Sequence, residues 1–239
     1  MTAVLILQND REAPPDLLDE VQEASGLPAR VVALDEGEPL PELSTSAGPW
    51  LGIVSLGGVM GAYEEDRHPW LAAEKRLLAQ AVRAQVPVLG ICLGCQLLAD
   101  ALCGRAYLAP SPEIGYPEVR LTPAGELDPL LRALRNPVGN WHQDTWDLPP
   151  GATLLAVSDA YPQAFRLGSG VGVQFHPEAS SPLFESWVRS ADRSKLLERG
   201  IDPDELVGEG RRLAADIADA GRALLAVWVH QLREQPALR

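Results

Sequence analysis

Val86–Gln96 reads VPVLGICLGCQ, and no other stretch restricts the folds open to this chain as strongly. Val86–Ile91 is unbroken apolar sequence, the pattern of a strand buried on both faces. Gly94–Leu102 reads as a helix. Between them, Gly90-Ile91-Cys92-Leu93-Gly94 has the form of a nucleophile elbow, G-x-S-x-G, with Cys in place of Ser. Glycines on either side allow a tight strand-to-helix turn. Such a turn lifts Cys92 above the carboxyl end of a strand, where open α/β sheets place their ligands. The helix N-terminus behind it favours a thiolate. The Leu93 N–H is then aimed at the oxygen of any carbonyl that Cys92 attacks.

The surrounding sequence agrees with a doubly covered sheet. Ala3–Leu7, Arg30–Leu34 and Trp50–Leu56 read as strands, and Leu17–Ala24 and Pro69–Gln85 as helices; 39–48 is a Pro/Ser/Gly-rich loop. Strands alternating with helices imply βαβ crossovers and an open, mostly parallel α/β sheet with helices on both faces. Farther along, Glu118–Leu121, Thr153–Ser158, Gln163–Leu167 and Val171–Phe175 are short strands expected to extend the sheet, some of them antiparallel. After Pro182 the chain turns helical, so 1–182 reads as the domain and 183–239 as a helical C-terminal extension packed on it. Asp202-Pro203-Asp204-Glu205 is a helix start, and one long helix is expected from there to about Arg233. Trp228, with Leu224, Leu225, Val227 and Val229, forms an apolar cluster. It either docks on the chain's own domain or meets a second copy or another partner.

Composition narrows the function classes. The chain has 239 residues, with 20 Lys and Arg against 33 Asp and Glu, a net charge of −13. That balance argues against nucleic acid or an anionic membrane as a partner, because both recruit Lys and Arg. No apolar run approaches a membrane span. The N-terminus lacks a basic segment ahead of its short apolar run, so no secretory signal is expected. Three cysteines are too few for a disulfide framework and point to a reducing, cytoplasmic setting.

Cys92-Leu93-Gly94-Cys95 is formally C-x-x-C, but the flanking glycines fit nucleophilic catalysis better than a redox dithiol. No second Cys/His pair completes a zinc site, and no metal is expected. Cys95 and Cys103 read as small hydrophobes on the packed helix. A cysteine nucleophile needs a base, and the histidines are His68, His142, His176 and His230. His176 follows the apolar strand Val171–Phe175 in GVGVQFHPE, with Glu178 two residues on. A histidine so placed takes the thiol proton while the carboxylate orients its ring. His68 reads as a cap or a surface residue, and His230 as packed or solvated in the terminal helix.

GICLGCQ together with QFHPE resembles the class I glutamine amidotransferases, the Cys-His-Glu family. Ser55-Leu56-Gly57-Gly58 resembles that family's glycine loop. Trp141-His142-Gln143-Asp144 resembles the W-H-x-D segment of the branch that includes the amidotransferase domain of GMP synthase. The resemblance spans roughly Ala3 to Pro182 and implies a flavodoxin-like fold. It implies Cys92 as nucleophile, His176 as base and later acid, and Glu178 as the orienting carboxylate. The backbone N–H groups of Gly58 and Leu93 would form the oxyanion hole, with Gly57 beside them and a further N–H at Val59, where the family often has Pro. Gly57 and Gln96 would contact the substrate. Gln163, His142 and Asp144 would lie near its amino-acid end, although local loop bonds are the alternative for His142 and Asp144.

The implied reaction hydrolyses the side-chain amide of glutamine through a Cys92 thioester, and it requires no cofactor. A chain of this length has no room for an ATP-dependent synthetase and shows no Walker motif. A separate synthetase subunit would then receive the ammonia. Hydrolysis of γ-glutamyl amides or peptides by the same triad is the alternative, and a non-enzymatic binding protein is the third reading.

Overall fold

The computed structural model describes residues 3–45 and 48–234. Residues 46 and 47, within the expected 39–48 loop, lie outside that range. The chain runs through β1 (Val4–Gln8), α1 (Leu17–Ser25), β2 (Ala29–Ala33), a short hairpin of β3 (Ser44–Thr45) and β4 (Gly48–Pro49), and β5 (Gly52–Ser55). It continues with α2 (Trp70–Arg83), β6 (Val88–Ile91), α3 (Leu93–Ala101), β7 (Arg105–Gly115), β8 (Arg120–Leu121) and α4 (Pro123–Leu127). A 3-10 turn (Leu131–Ala133), β9 (Asn140–Asp147), β10 (Thr153–Val157), β11 (Pro162–Leu167) and β12 (Gly170–Val173) follow. Four helices end the chain: α5 (Ser181–Ser190), α6 (Arg193–Glu198), α7 (Pro203–Arg212) and α8 (Ala214–Glu234).

One eight-stranded sheet has the order β2-β1-β5-β6-β12-β11-β10-β8. The pairings from β2 through β12 are parallel, and those from β12 to β8 are antiparallel. The mixed, mostly parallel sheet expected from the sequence is therefore present. Successive side chains on a strand point to opposite faces, and the core divides accordingly. Val4, Ile6 and Val54 face α1 and α8, whereas Leu5, Leu7 and Ile53 face α2 and α3. Each of these side chains is fully buried, worth roughly 1.5–3 kcal/mol apiece by transfer arithmetic.

Two local expectations are corrected, and a third feature is new. The helix after Cys92 ends at Ala101, so Cys103 is an exposed residue with φ 68° and not a packed helical one. The helix expected from Asp202 to Arg233 is two helices, with a break at Leu213. Asp202 caps the first as anticipated, accepting from the N–H groups of Asp204 and Glu205 at 2.8 and 3.4 Å. The third is the antiparallel β7–β9 ribbon, separate from the main sheet and unanticipated. β9 is mostly polar, and Pro110 and Pro112 interrupt β7 where the register slips between Leu108 and Glu113. Proline is tolerated there because a slipped edge needs fewer ladder hydrogen bonds.

The terminal helix is one wall of the main core. Leu224, Leu225, Trp228, Val229 and Leu232 cluster with Val4, Ile6 and Val54. Gly52 lets the helix lie against β5, since a Cβ there would sit 2.8 Å from Leu232. Leu224, Leu225, Trp228 and Val229 thus dock on the chain's own core, and Val227 is partly buried. No described helix is long and apolar enough to cross a membrane. Trp228→Ala should lower unfolding stability by about 3–5 kcal/mol, the range for aromatic truncation in a core. Urea denaturation checks this, and an unchanged midpoint would mean that α8 is only loosely docked.

Candidate active site

Four parallel strands end at one edge of the sheet, and each delivers part of the site. β6 leads into Cys92, whose φ of 51° and ψ of −106° mark the sharp turn into α3. Both glycines of the elbow are obligatory. A Cβ on Gly90 would lie 2.4 Å from the Gly94 carbonyl oxygen, and one on Gly94 would lie 2.0 Å from the Ser55 carbonyl oxygen. The Cys92 N–H donates to Val173 O at 2.9 Å, which ties the elbow to β12. Cys92 is only 5% exposed, its Sγ 3.8 Å from the carbonyl oxygen of Trp141, and it forms part of the cavity lining.

β12 leads to His176, whose N–H donates to Gly139 O at 2.8 Å. Its Nδ1 lies 2.7 Å from Glu178 Oε1, and both residues are buried. The imidazole and Cys92 both flank Gly57 and line the same cavity. Burial alone would push the His176 pKa down, but negative charge at Glu178 and Cys92 outweighs it and raises the value to about 10. The shift favours the protonated imidazole. Trp187 of α5 meets the ring edge-on, centroids 4.8 Å apart, and its Nε1 donates to Glu12 O at 2.5 Å. The helical extension reaches the site a second time through α8. A Cβ on Gly221 would lie 2.2 Å from the carbonyl oxygen of Pro177, between His176 and Glu178.

β5 leads to the glycine loop. A Cβ on Gly57 would sit 3.1 Å from His176 Cε1 and 3.7 Å from Cys92 Cβ. One on Gly58 would sit 3.0 Å from Leu93 Cδ2, so the two backbone positions expected to form the oxyanion hole adjoin beside Cys92. The Val59 N–H is not a further oxyanion donor, because it donates to Asp10 Oδ2 at 3.2 Å. Asp10 follows β1, the fourth strand end, and lines the same cavity.

That cavity measures about 310 Å³, and Cys92, His176, Gln96, His142 and Asp144 are among its walls. Gln96 Nε2 donates to Gln174 Oε1 at 3.3 Å and to Asp144 O at 3.4 Å. His142 lies on β9 and not on a loop. Its Nδ1 is 2.8 Å from Asp144 O and its Nε2 3.1 Å from Glu113 Oε2, so both nitrogens are engaged within the protein. The Asp144 carboxylate accepts from Tyr63 OH at 3.2 Å. Burial raises its pKa, with Glu64 adding to the effect and the Tyr63 hydrogen bond opposing it. Gln163 does not line the cavity. It is buried behind the His142 wall, donating to Glu113 Oε2 at 2.6 Å and to Ser158 Oγ at 3.3 Å. Cys95 is fully buried, burial raises its thiol pKa well above the usual range, and its Sγ packs under Gly172. It is poorly suited to a dithiol partnership with Cys92.

Asp10, Trp187, Glu113 and Tyr63 also reach the site, and no sequence motif marks them. Asp10 has a usable signal, a carboxylate directly after a strand end, whereas the other three arrive across long sequence separations.

Two outcomes follow from this geometry. His176 has a folded pKa raised from 6.5 to about 10, so its stabilisation is complete below pH 6.5 and disappears as pH rises towards 10. NMR of the imidazole should show no titration between pH 6 and 8, and Glu178→Gln should bring the titration down to or below that window. A wild-type ring that titrates near 6.5 would refute the ion pair. Gly221→Ala should fold yet lose activity on the order of a hundredfold, because Pro177 must shift. Full turnover would show that α8 does not hold the 176–178 segment.

Comparison with known proteins agrees with the geometry. The family model for glutamine amidotransferase class-I matches residues 25–189. The chain is 38% identical over 125 residues to the glutamine amidotransferase-like protein YfeJ of Salmonella typhimurium, covering 51% of this chain and 52% of that one. It is 36% identical over 186 residues to a GMP synthase of Thermus thermophilus, covering 73% of this chain and 34% of that one. The chain thus spans about half the length of the first relative and a third of the second. A glutamine amidotransferase structure from Thermotoga maritima superposes with a TM-score of 0.83 at 28% identity, over 98% of this chain and 99% of that one. One from Methylobacillus flagellatus gives 0.83 at 25% identity, over 100% and 98%. With its elbow cysteine and buried His176–Glu178 pair at the strand ends, the chain belongs to the class I glutamine amidotransferase family.

Proposed function

We propose that this chain hydrolyses the side-chain amide of glutamine through a covalent γ-glutamyl thioester on Cys92. The observation that carries the reading is a buried Cys92–His176–Glu178 set opening on one cavity, with Gly58 and Leu93 adjoining the nucleophile. The Cys92 thiolate attacks the amide carbon, and negative charge develops on the carbonyl oxygen. The Gly58 and Leu93 N–H groups stabilise that charge, commonly a large contribution in acyl transfer. Protonated His176 gives its proton to the departing nitrogen, and ammonia leaves. Neutral His176 then takes a proton from water, which attacks the thioester and releases glutamate. Glu178 keeps the imidazole oriented through both steps.

In this reading Gln96 and the Asp144 carboxylate bind the substrate, while Gln163 and His142 hold the wall they belong to. Relatives of this chain include whole GMP synthases, of which it matches about a third. The released ammonia would accordingly pass to a separate synthetase subunit. A nucleophilic thiol, with Cys92, Cys95 and Cys103 all free, suits a reducing compartment such as the cytoplasm.

Glutamate release by the purified chain tests the proposal, with glutamine and a panel of γ-glutamyl amides and peptides supplied in parallel. Glutamine should be hydrolysed, and Cys92→Ala and His176→Ala should each lose on the order of 10⁴-fold in kcat with native-like circular dichroism. Cys95→Ala should retain most activity. Strong preference for a γ-glutamyl amide or peptide would transfer the triad to a different leaving group. No acyl-enzyme from any of these compounds would refute the proposal.

A further inference from the structure

Glu74, in the first half of α2, is fully buried and takes no part in the chemistry above. Its Oε1 accepts from Ser55 Oγ at 2.6 Å and from Asn9 Nδ2 at 3.3 Å. Its Oε2 has no partner among the described residues. Asn9, also fully buried, extends the link: Nδ2 donates to Leu56 O at 3.3 Å, and Oδ1 accepts from Trp70 Nε1 at 3.1 Å. One carboxyl oxygen therefore grips Ser55 directly and Leu56 through Asn9, the two residues that lead into Gly57 and Gly58. The same segment abuts the nucleophile elbow, since the Ser55 carbonyl lies against Gly94, and Asn9 Cβ lies 3.4 Å from a Cβ built on Gly58.

We infer that Glu74 is a positioning residue that holds the Ser55–Gly58 loop, and with it the oxyanion hole, in place against Cys92. Packing does not account for a carboxyl at this position. Leu71, Leu77, Leu78, Ala81 and Val82 already bury the apolar face of α2, and an acid placed beside them without a cation is unfavourable. Burial raises the Glu74 pKa to about 7 against the opposing hydrogen bonds from Ser55 and Asn9. What the carboxyl provides is a single acceptor shared by two strand ends. Without it, Leu56 and Gly58 can settle by tenths of an ångström, and oxyanion stabilisation depends steeply on donor placement.

The inference rests on the acyl-transfer reading, and its test separates the two. Glu74→Leu keeps the volume and removes the acceptor, whereas Glu74→Gln keeps the acceptor. Glu74→Leu should lose about tenfold to a hundredfold in kcat, less than outright deletion of an oxyanion donor, with KM nearly unchanged. Glu74→Gln should restore most of that loss. Alkylation of Cys92 by iodoacetamide develops no oxyanion and should proceed at the wild-type rate in both variants. Amide hydrogen exchange across residues 56–60 should accelerate in Glu74→Leu and not in Glu74→Gln.

Wild-type kcat in Glu74→Leu, an equal loss in both variants, or alkylation slowed in parallel with turnover would overturn the inference. If Glu74→Leu does not fold, Asn9→Ala cuts the same link at Leu56 and should show the same kcat loss. If the wild-type chain turns over no γ-glutamyl compound, the acyl-transfer reading fails on its own. Hydrogen exchange then decides the role of Glu74, and unchanged exchange at residues 56–60 overturns it.

Discussion

The site depends on one close approach. No side-chain atom fits between the Cα of Gly94 and the carbonyl of Ser55, and none fits between Gly90 and Gly94. These contacts bring the end of β5 against the first turn of α3. They force Cys92 into a backbone conformation that L residues rarely adopt, at the N-terminus of a helix. Cys92 and the glycine loop are thereby brought against each other by main-chain packing. Side chains then tune an arrangement that main-chain packing has already set.

His176 and Glu178 are held differently. They lie beyond β12, outside regular structure, and are secured by contacts from four directions. Gly139 bonds the His176 N–H, Leu17 donates to Glu178 O at 3.0 Å, Trp187 flanks the imidazole ring, and Gly221 abuts Pro177. Two of these come from the C-terminal helices, which also wall the core. The break in element type near residue 182 therefore does not divide the site, since α5 and α8 complete it. A buried charge pair repays its desolvation only when its geometry is held closely and its remaining polar atoms are bonded. The four contacts hold the geometry, while Glu178 Oε2 has no partner among the described residues.

Short-range patterns make part of this arrangement legible in the residues themselves. The elbow is five consecutive residues, His176 and Glu178 are two apart, and both motifs follow apolar runs that read as buried strands. The glycine loop and the W-H-x-D segment are equally local, although His142 is engaged at both nitrogens and Gln163 lies behind the wall. The β7–β9 ribbon is hidden because β9 is mostly polar and β7 carries two prolines, so the alternation that signals a strand is missing. Glu74, Trp187 and Gly221 act through partners distant in sequence, and nothing in their immediate neighbours marks them.

The doubly covered sheet, the strained cysteine turn and the pairing of His176 with Glu178 are each written in a few adjacent residues. The groups that surround them are not. Folding sets the amide of Val59 on Asp10, the indole of Trp187 against the imidazole, and the carboxyl of Glu74 beneath the glycine loop. The physical reason is range. Backbone conformation and hydrophobic periodicity are local properties of a chain, whereas burial, electrostatic neighbours and hydrogen-bond partners exist only once distant segments have packed together.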